Sequence, residues 1–268
     1  MKQLFPAIAL AVSTLLSTQA AHADEALKAA IASNARTPAN VARDNARHPY
    51  ETLTFFGIKP TMTVVELSPG GGWYTEILAP YLREKGKLIA AAESPTSPNE
   101  GARRYAASVQ KKLASNPALF DKVQLGVFEP PREINFAKPE SVDMVLTFRN
   151  IHNWTEDGDE KLKDTFAQVY KTLKHGGVFG VVDHRLPASR KAGSTDGYLH
   201  EAYVIKMVES AGFKLAAKSE INANPKDTAD YAKGVWTLPP VLANKDKDRE
   251  KYMAIGESDR MTLKFVKP

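Results

Sequence analysis

VVELSPGGGWYTEIL, residues 64–78, joins an apolar run to an acid, a Ser-Pro pair and three consecutive glycines, and then turns helical in character. A strand that passes through glycines into a helix brings backbone N–H groups against a ligand, because the first turn of a helix leaves its N–H groups unpaired and partially positive. Glycine matters there because any Cβ would hold ligand and backbone apart. A dinucleotide fingerprint needs G-x-G-x-x-G. With Gly70 and Gly72 on its first two glycines, Thr75 falls on the third. Glu66, at the end of the apolar run, also sets an anion close to where a pyrophosphate would lie. Both features turn the reading away from NAD and towards a ligand with hydroxyls or an ammonium group.

The pattern around this stretch alternates. Strands are expected at Met62–Leu67, Lys87–Ala92, Lys122–Phe128, Val142–Phe148 and Val178–Asp183, with two closing strands at Phe213–Ile221 and Met261–Val266. Helices are expected at Gly72–Glu84, where Pro80 kinks or divides the run, at 99–116, at Asp159–Leu173 and at Tyr198–Ala211. His175-Gly176-Gly177 reads as the turn that ends the Asp159–Leu173 helix. Before the first strand, Glu25–Arg36 and Val41–His48 read as a helical cap over residues 24–60. The domain proper spans 61–268, with residues 222–258 as an insertion between the last two strands. Strands alternating with helices imply βαβ crossovers and a doubly wound, mostly parallel sheet. Ligands of such sheets lie beyond the carboxyl ends of the strands, near the point where strand order reverses. That rule selects the residues just after each strand.

Glu93 follows the second strand, 21 residues after Gly72, where an acid accepts hydrogen bonds from ribose hydroxyls. The block E-x-S-P-G-G-G-x-x-T resembles the first motif of the class I S-adenosylmethionine-dependent methyltransferases, usually [DE]-x-G-x-G-x-G. Glu93 matches their ribose acid. SVDMVLTFRNIHNW is similar to their fourth strand and following loop, LKHGGVFGVVDH to their L-K-P-G-G turn and fifth strand, and the closing pair to their reversed last strand. The resemblance covers roughly residues 50–221 and 259–266, and extends to a narrower group of exported bacterial methyltransferase-like proteins. It implies a seven-stranded Rossmann-like sheet with an antiparallel last strand, and S-adenosylmethionine as cofactor. Glu66, Ser68, Gly70 and Gly72 would line its methionine and ribose part, Glu93 would hold the ribose, and Phe128 and Glu129 would flank the adenine. Ser68 stands where the family has its first glycine, and Pro69 stiffens the turn.

On the substrate side, FRNIHNW and DHR place Arg149, Asn150, His152, Trp154, Asp183, His184 and Arg185 on one rim. Methyl transfer is an in-line displacement that needs positioning, with a base only where the acceptor is protonated. His152 or His184, with Asp183, is a candidate for that base. Trp154 offers an aromatic wall, since a π face attracts a sulfonium as it does other cations. The alternative is structural, with His152 and Trp154 capping the strand and Asp183 pairing an arginine. Asn150, His152, Asp183 and His184 carry metal-ligand atoms, but they form no local chelate and include one carboxylate, so no metal is expected. The insertion, with Asn224-Pro225, Trp236 and Pro239-Pro240, reads either as an ordered lid or as a packing flap.

The 268 residues hold no cysteine, which excludes disulfides and a lipidated cleavage site. Lys2, the apolar run Leu4–Leu16 and Ala21-His22-Ala23 read as a signal peptide cleaved before Asp24, too short and too polar for a membrane span. A periplasmic location and a mature chain without a stable membrane span follow. Without Lys2 the chain carries 35 basic and 31 acidic residues, interspersed, and the Lys245–Lys251 run reads as a solvated face rather than a nucleic-acid patch. The expected activity is methyl transfer to a small-molecule or peptidyl acceptor. The alternatives are a methyltransferase-fold binding or accessory protein, or a non-methylating lyase or hydrolase.

Overall fold

A computed structural model describes residues 24–191 and 196–268. The expected signal segment, 1–23, lies outside the described residues. Nine strands form one sheet system: β1 (Thr63–Leu67), β2 (Lys87–Ala92), β3 (Gln124–Glu129), β4 (Glu133–Asn135), β5 (Val142–Phe148), β6 (Leu173–Leu186), β7 (Leu199–His200), β8 (Lys214–Ser219) and β9 (Arg260–Val266). The helices are α1 (Glu25–Ile31), α2 (Pro38–Val41), α3 (Asp44–Arg47), α4 (Pro49–Phe56), α5 (Thr75–Leu82), α6 (Glu100–Ala114), α7 (Pro117–Phe120), α8 (Ile151–Trp154), α9 (Asp159–Thr172), α10 (Glu201–Ser210) and α11 (Arg249–Ile255).

The strand order is β4-β3-β2-β1-β5-β6-β9-β8, with β7 paired to the end of β6. β3, β2, β1, β5 and β6 run parallel, and β9 runs antiparallel to both β6 and β8. This is the doubly wound, mostly parallel sheet read from the sequence, with two short strands added. Three-residue β4 forms a hairpin with β3, and two-residue β7 pairs with the far end of β6. Neither is long enough to show a period of two.

Alternation along the central strands builds two cores. Val64, Leu88, Met144 and Leu146 face one side, packed by Leu53, Phe56, Ile77 and Leu78 of α4 and α5. Val65, Ile89, Val145, Phe179 and Val181 face the other, packed by Leu162, Phe166 and Val169 of α9 and by Val204 and Val208 of α10. Burial on both faces explains why β5 reads as a nearly continuous apolar run.

Some expected boundaries move. α9 ends at Thr172, and Leu173 already pairs with Val142, so His175-Gly176-Gly177 belongs to the start of β6 rather than to a helix-ending turn. Gly176 takes φ +74° there and donates its N–H to the Lys267 carbonyl. The first expected helix stops at Ile31, because Arg36 turns back to donate to the Ile31 carbonyl and, through two nitrogens, to Asp44. The second divides into α2 and α3. α5 carries Pro80 inside it without being divided.

Gly180 on β6 fixes how closely α4 approaches the sheet. A Cβ there would lie 2.6 Å from Leu146 Cδ2 and 2.9 Å from the Phe56 ring. Gly180→Ala is therefore expected to lower unfolding stability by about 1–3 kcal/mol through overpacking, measured by urea denaturation.

Candidate functional site

The strand order reverses between β1 and β5, and the glycine turn sits there. Ser68 leaves β1 with φ +48°, followed by Gly70 at +60° and Gly72 at +78°. Ser68 thus holds a left-handed conformation that a glycine would hold without strain. Arg149 does the same at the end of β5, with φ +65°. Between them, Asn150 Nδ2 donates to the Leu67 and Ser68 carbonyls at 3.2 and 3.3 Å and ties the two strand ends together.

Glu66 is buried, and its Oε2 accepts the Thr75 hydroxyl at 2.6 Å. Thr75, which occupies the third fingerprint position, therefore serves the acid of the first. Burial pushes the Glu66 carboxyl up to about 8, against the opposing hydrogen bond from Thr75. A carboxyl raised on folding contributes stability below its unfolded value, and that contribution fades as pH rises through the folded value. The wild type is thus expected to lose Tm between pH 5 and pH 8 more steeply than Glu66→Gln. Parallel slopes in thermal scans would contradict this.

A cavity of about 700 Å³ opens beyond β1, β2 and β3, lined by Ser68, Glu93, Tyr105, Glu129, Asn150 and Trp154 among others. Among the described residues, Glu93 Oε2 is buried with no hydrogen-bond partner, and burial, with help from Glu129, raises this carboxyl to about 6. Glu129 is already engaged. It accepts from the Ser94 N–H and the Ser97 hydroxyl and takes two bonds from Arg132, which holds it down to about 2. Phe128 does not reach the cavity wall. It is fully buried and packs edge-on against Phe136 and Trp154. Gly72 lies in the turn before α5 and faces Lys112 instead of the cavity. Tyr105 escaped the sequence reading: its hydroxyl accepts the Gly70 N–H at 2.5 Å and so occupies a donor of the turn.

On the β5 and β6 side, Asp183 is fully buried and accepts four bonds. These come from the N–H groups of Ile151 (2.7 Å), His184 (2.8 Å) and His152 (3.4 Å), and from His152 Nδ1 at 2.9 Å. The bond orients the His152 ring and favours the tautomer with the proton on Nδ1, leaving Nε2 as acceptor. His184 lies against it, ring centroids 5.1 Å apart, with its Nδ1 2.5 Å from the Ser258 hydroxyl. Burial, His152 and nearby arginines hold His184 well below its ordinary value, so it stays neutral. Trp236 of the 222–258 segment stands edge-on to His152 at 6.3 Å.

Arg185 goes elsewhere. It is bound by Asp259 and Glu220, with Glu201 close by. His152, Asp183 and His184 set one ligand atom each within 4.8 Å of one another. The arginines that add to the lowering of His184 oppose a cation there as well.

A second, smaller cavity of about 140 Å³ shares Ser68 and Asn150 with the first and is walled by Glu66, Trp73, Arg43, Arg47 and Arg149. Arg43 and Arg47 come from the N-terminal helical segment and escaped the sequence reading. Their one sequence signal is a four-residue spacing, which would share a face in a continuous helix, although Arg43 in fact sits in the turn before α3.

No protein-family model and no curated protein matches the chain. Solved structures do. A SAM-dependent methyltransferase from Aquifex aeolicus superposes with TM-score 0.55 at 18% identity, over 85% of this chain and 93% of that one. A putative sarcosine dimethylglycine methyltransferase from Galdieria sulphuraria gives 0.54 at 14%, over 85% of each chain. The [4+2]-cyclase SpnF gives 0.55 at 12%, over 83% of this chain and 80% of that one. The chain has the Rossmann-like fold of the class I methyltransferases.

Proposed function

We propose that this chain is an S-adenosylmethionine-dependent methyltransferase that works outside the cytoplasm on a small-molecule or peptidyl acceptor. The observation that carries the reading is Glu93. A buried carboxylate oxygen without a partner is costly, and here it stands at the 700 Å³ cavity beside the glycine turn, at the reversal of strand order. Ribose hydroxyls are donors that would satisfy it. Ser68 would lie along the cofactor, and Trp154 would supply an aromatic wall. When bound, the cofactor supplies an electrophilic methyl group on a sulfonium. The chain's own work is to orient the two reactants, exclude water and take a proton from the acceptor at His152 Nε2, with Asp183 holding the ring. His184, buried and neutral, positions His152 through ring contact rather than exchanging protons.

The fold alone fixes no reaction. Incubation with methyl-tritiated S-adenosylmethionine and fractionated periplasmic solutes tests the activity. Tritium is expected in a product fraction, and its confinement to unreacted cofactor in every fraction would reject the reading. Glu93→Ala is expected to weaken S-adenosylhomocysteine binding by about 10- to 100-fold, the loss of charge-assisted hydrogen bonds, read by calorimetry.

Export rests on Lys2, the apolar run and the Ala21-His22-Ala23 site. It agrees with Asp24, whose Oδ1 accepts the Leu27 N–H at the start of α1 and whose other oxygen takes the Tyr81 hydroxyl. Cleavage after Ala23 leaves those contacts intact. Among the described residues, no helix is long and apolar enough to cross a membrane. N-terminal sequencing of the periplasmic form should begin at Asp24.

One observation favours a second reading, a binding or non-methylating protein: Tyr105 already takes the Gly70 N–H. The neighbour titled a [4+2]-cyclase carries the same fold. Failure of S-adenosylhomocysteine to bind would leave that reading standing.

A further inference from the structure

Four guanidinium groups, of Arg43, Arg47, Arg149 and Arg260, gather behind the glycine turn, and among the described residues Glu257 is the carboxylate that hydrogen-bonds to three of them. Arg43 Nε donates to it at 2.6 Å, Arg47 Nε at 3.4 Å and Arg260 Nη1 at 3.1 Å. Arg149 is not among its partners. The buried Nη2 atoms of Arg43 and Arg47 and the buried Nε atoms of Arg149 and Arg260 have no hydrogen-bond partner among the described residues. Arg47 is 2% exposed and Arg260 4%. Asp183 lies near Arg149 and offsets part of its charge, but its oxygens hydrogen-bond to His152 and three backbone N–H groups and to none of the arginines. Glu66, the acid on the small cavity's wall, is pushed up to about 8 by burial and adds little negative charge at pH 7. Residues 1–23 and 192–195 contain no Asp or Glu, so no side-chain carboxylate outside the described residues offsets the cluster.

Such an arrangement is unstable as it stands. Burial and Arg149 lower the Arg47 guanidinium, and burial and Arg260 lower that of Arg149. A guanidinium keeps its charge under ordinary conditions, so the strain is relieved by a bound anion rather than by proton loss. The charge deficit also selects the anion. An amino-acid end brings an ammonium that cancels its carboxylate and leaves the excess in place. A dianion offsets it, and its oxygens match the donor fork of arginine. The cavity volume of about 140 Å³ corresponds to roughly five waters at ~30 Å³ each. It admits an oxyanion head group and excludes a nucleoside.

We propose that the small cavity walled by Arg43, Arg47 and Arg149 binds a phosphate-like dianion, and that the acceptor of the reaction carries this group. The anion site stands on the arginines alone, whereas its assignment to an acceptor rests on the methyl-transfer reading. Ser68 and Asn150 border both cavities, so an acceptor anchored here would reach the cofactor across the strained ends of β1 and β5.

The test is calorimetric titration of the mature chain with inorganic phosphate, at an ionic strength matched by KCl. Wild type is expected to bind phosphate and to gain Tm with it beyond the KCl control. Arg149→Gln is expected to weaken phosphate by about tenfold or more while leaving the affinity for S-adenosylhomocysteine within about threefold. Arg43→Gln is the second variant. Phosphate and S-adenosylhomocysteine should bind together. An equal response to phosphate and KCl would overturn the site. Mutual displacement of the two ligands would overturn the assignment to the acceptor and give the cavity to the cofactor's carboxylate. Phosphate binding that the arginine variants lose, with no S-adenosylhomocysteine binding at all, would uphold the anion site and reject the methyl-transfer reading instead.

Discussion

Asp183→Ala is expected to lower unfolding stability by about 3–5 kcal/mol and to abolish activity, the largest effect of any single change at the site. The carboxylate is fully buried and serves three backbone N–H groups and the His152 ring. Each donor left without a partner in a buried position costs about 1–3 kcal/mol, and the costs are not additive because the loop 150–154 can partly relax. Asp183→Asn keeps one acceptor oxygen and should fall between wild type and alanine. Urea denaturation of all three proteins reads the difference. A loss under about 1 kcal/mol for alanine would mean that the loop finds other partners and that Asp183 does not hold the rim together.

His152→Ala is expected to slow methyl transfer by about 10²- to 10⁴-fold, the usual contribution of a positioned base. Binding of S-adenosylhomocysteine should change little, because His152 does not line the 700 Å³ cavity proposed for the cofactor. The separation of rate from binding is the diagnostic, since a structural cap would alter both through the loop. Asp183 retains its three backbone donors in this variant, so the loss of stability should be small beside that of Asp183→Ala. A wild-type rate for His152→Ala would place the proton acceptor elsewhere, or show that the acceptor needs none.

The sheet was legible because its signals are local. β2 and β5 run over the residues expected, since each is an apolar run bounded by turn residues and buried on both faces. The short strands β4 and β7 lie below the length at which alternation shows. His175-Gly176-Gly177 carries helix-ending chemistry, but pairing with Lys267, 90 residues away in sequence, draws it into β6. That contact leaves no local trace.

The site divides in the same way. Glu66, Ser68, Gly70, Glu93 and Asn150 follow strands, and the strand-end rule finds them at the cavities. Phe128 satisfies the same rule yet points into the core, because a strand's alternate residues face opposite sides. Arg185 is captured by acids from two distant segments, Glu220 and Asp259. Arg47 and Tyr105 belong to helices packed over the strand ends, and Arg43 to the turn before α3, where no strand-end rule applies. Ser68 is informative in hindsight. Its positive φ shows that the turn takes a shape a glycine would hold without strain, so a serine there adds strain without changing the chain's course.

The most direct measurement is isothermal titration of a protein spanning residues 24–268 with S-adenosylhomocysteine. The predicted result is saturable binding at one site per chain, with micromolar affinity of the order usual for enzyme ligands, weakened in Glu93→Ala. Absence of heat up to millimolar ligand, in protein shown to be folded, would contradict it.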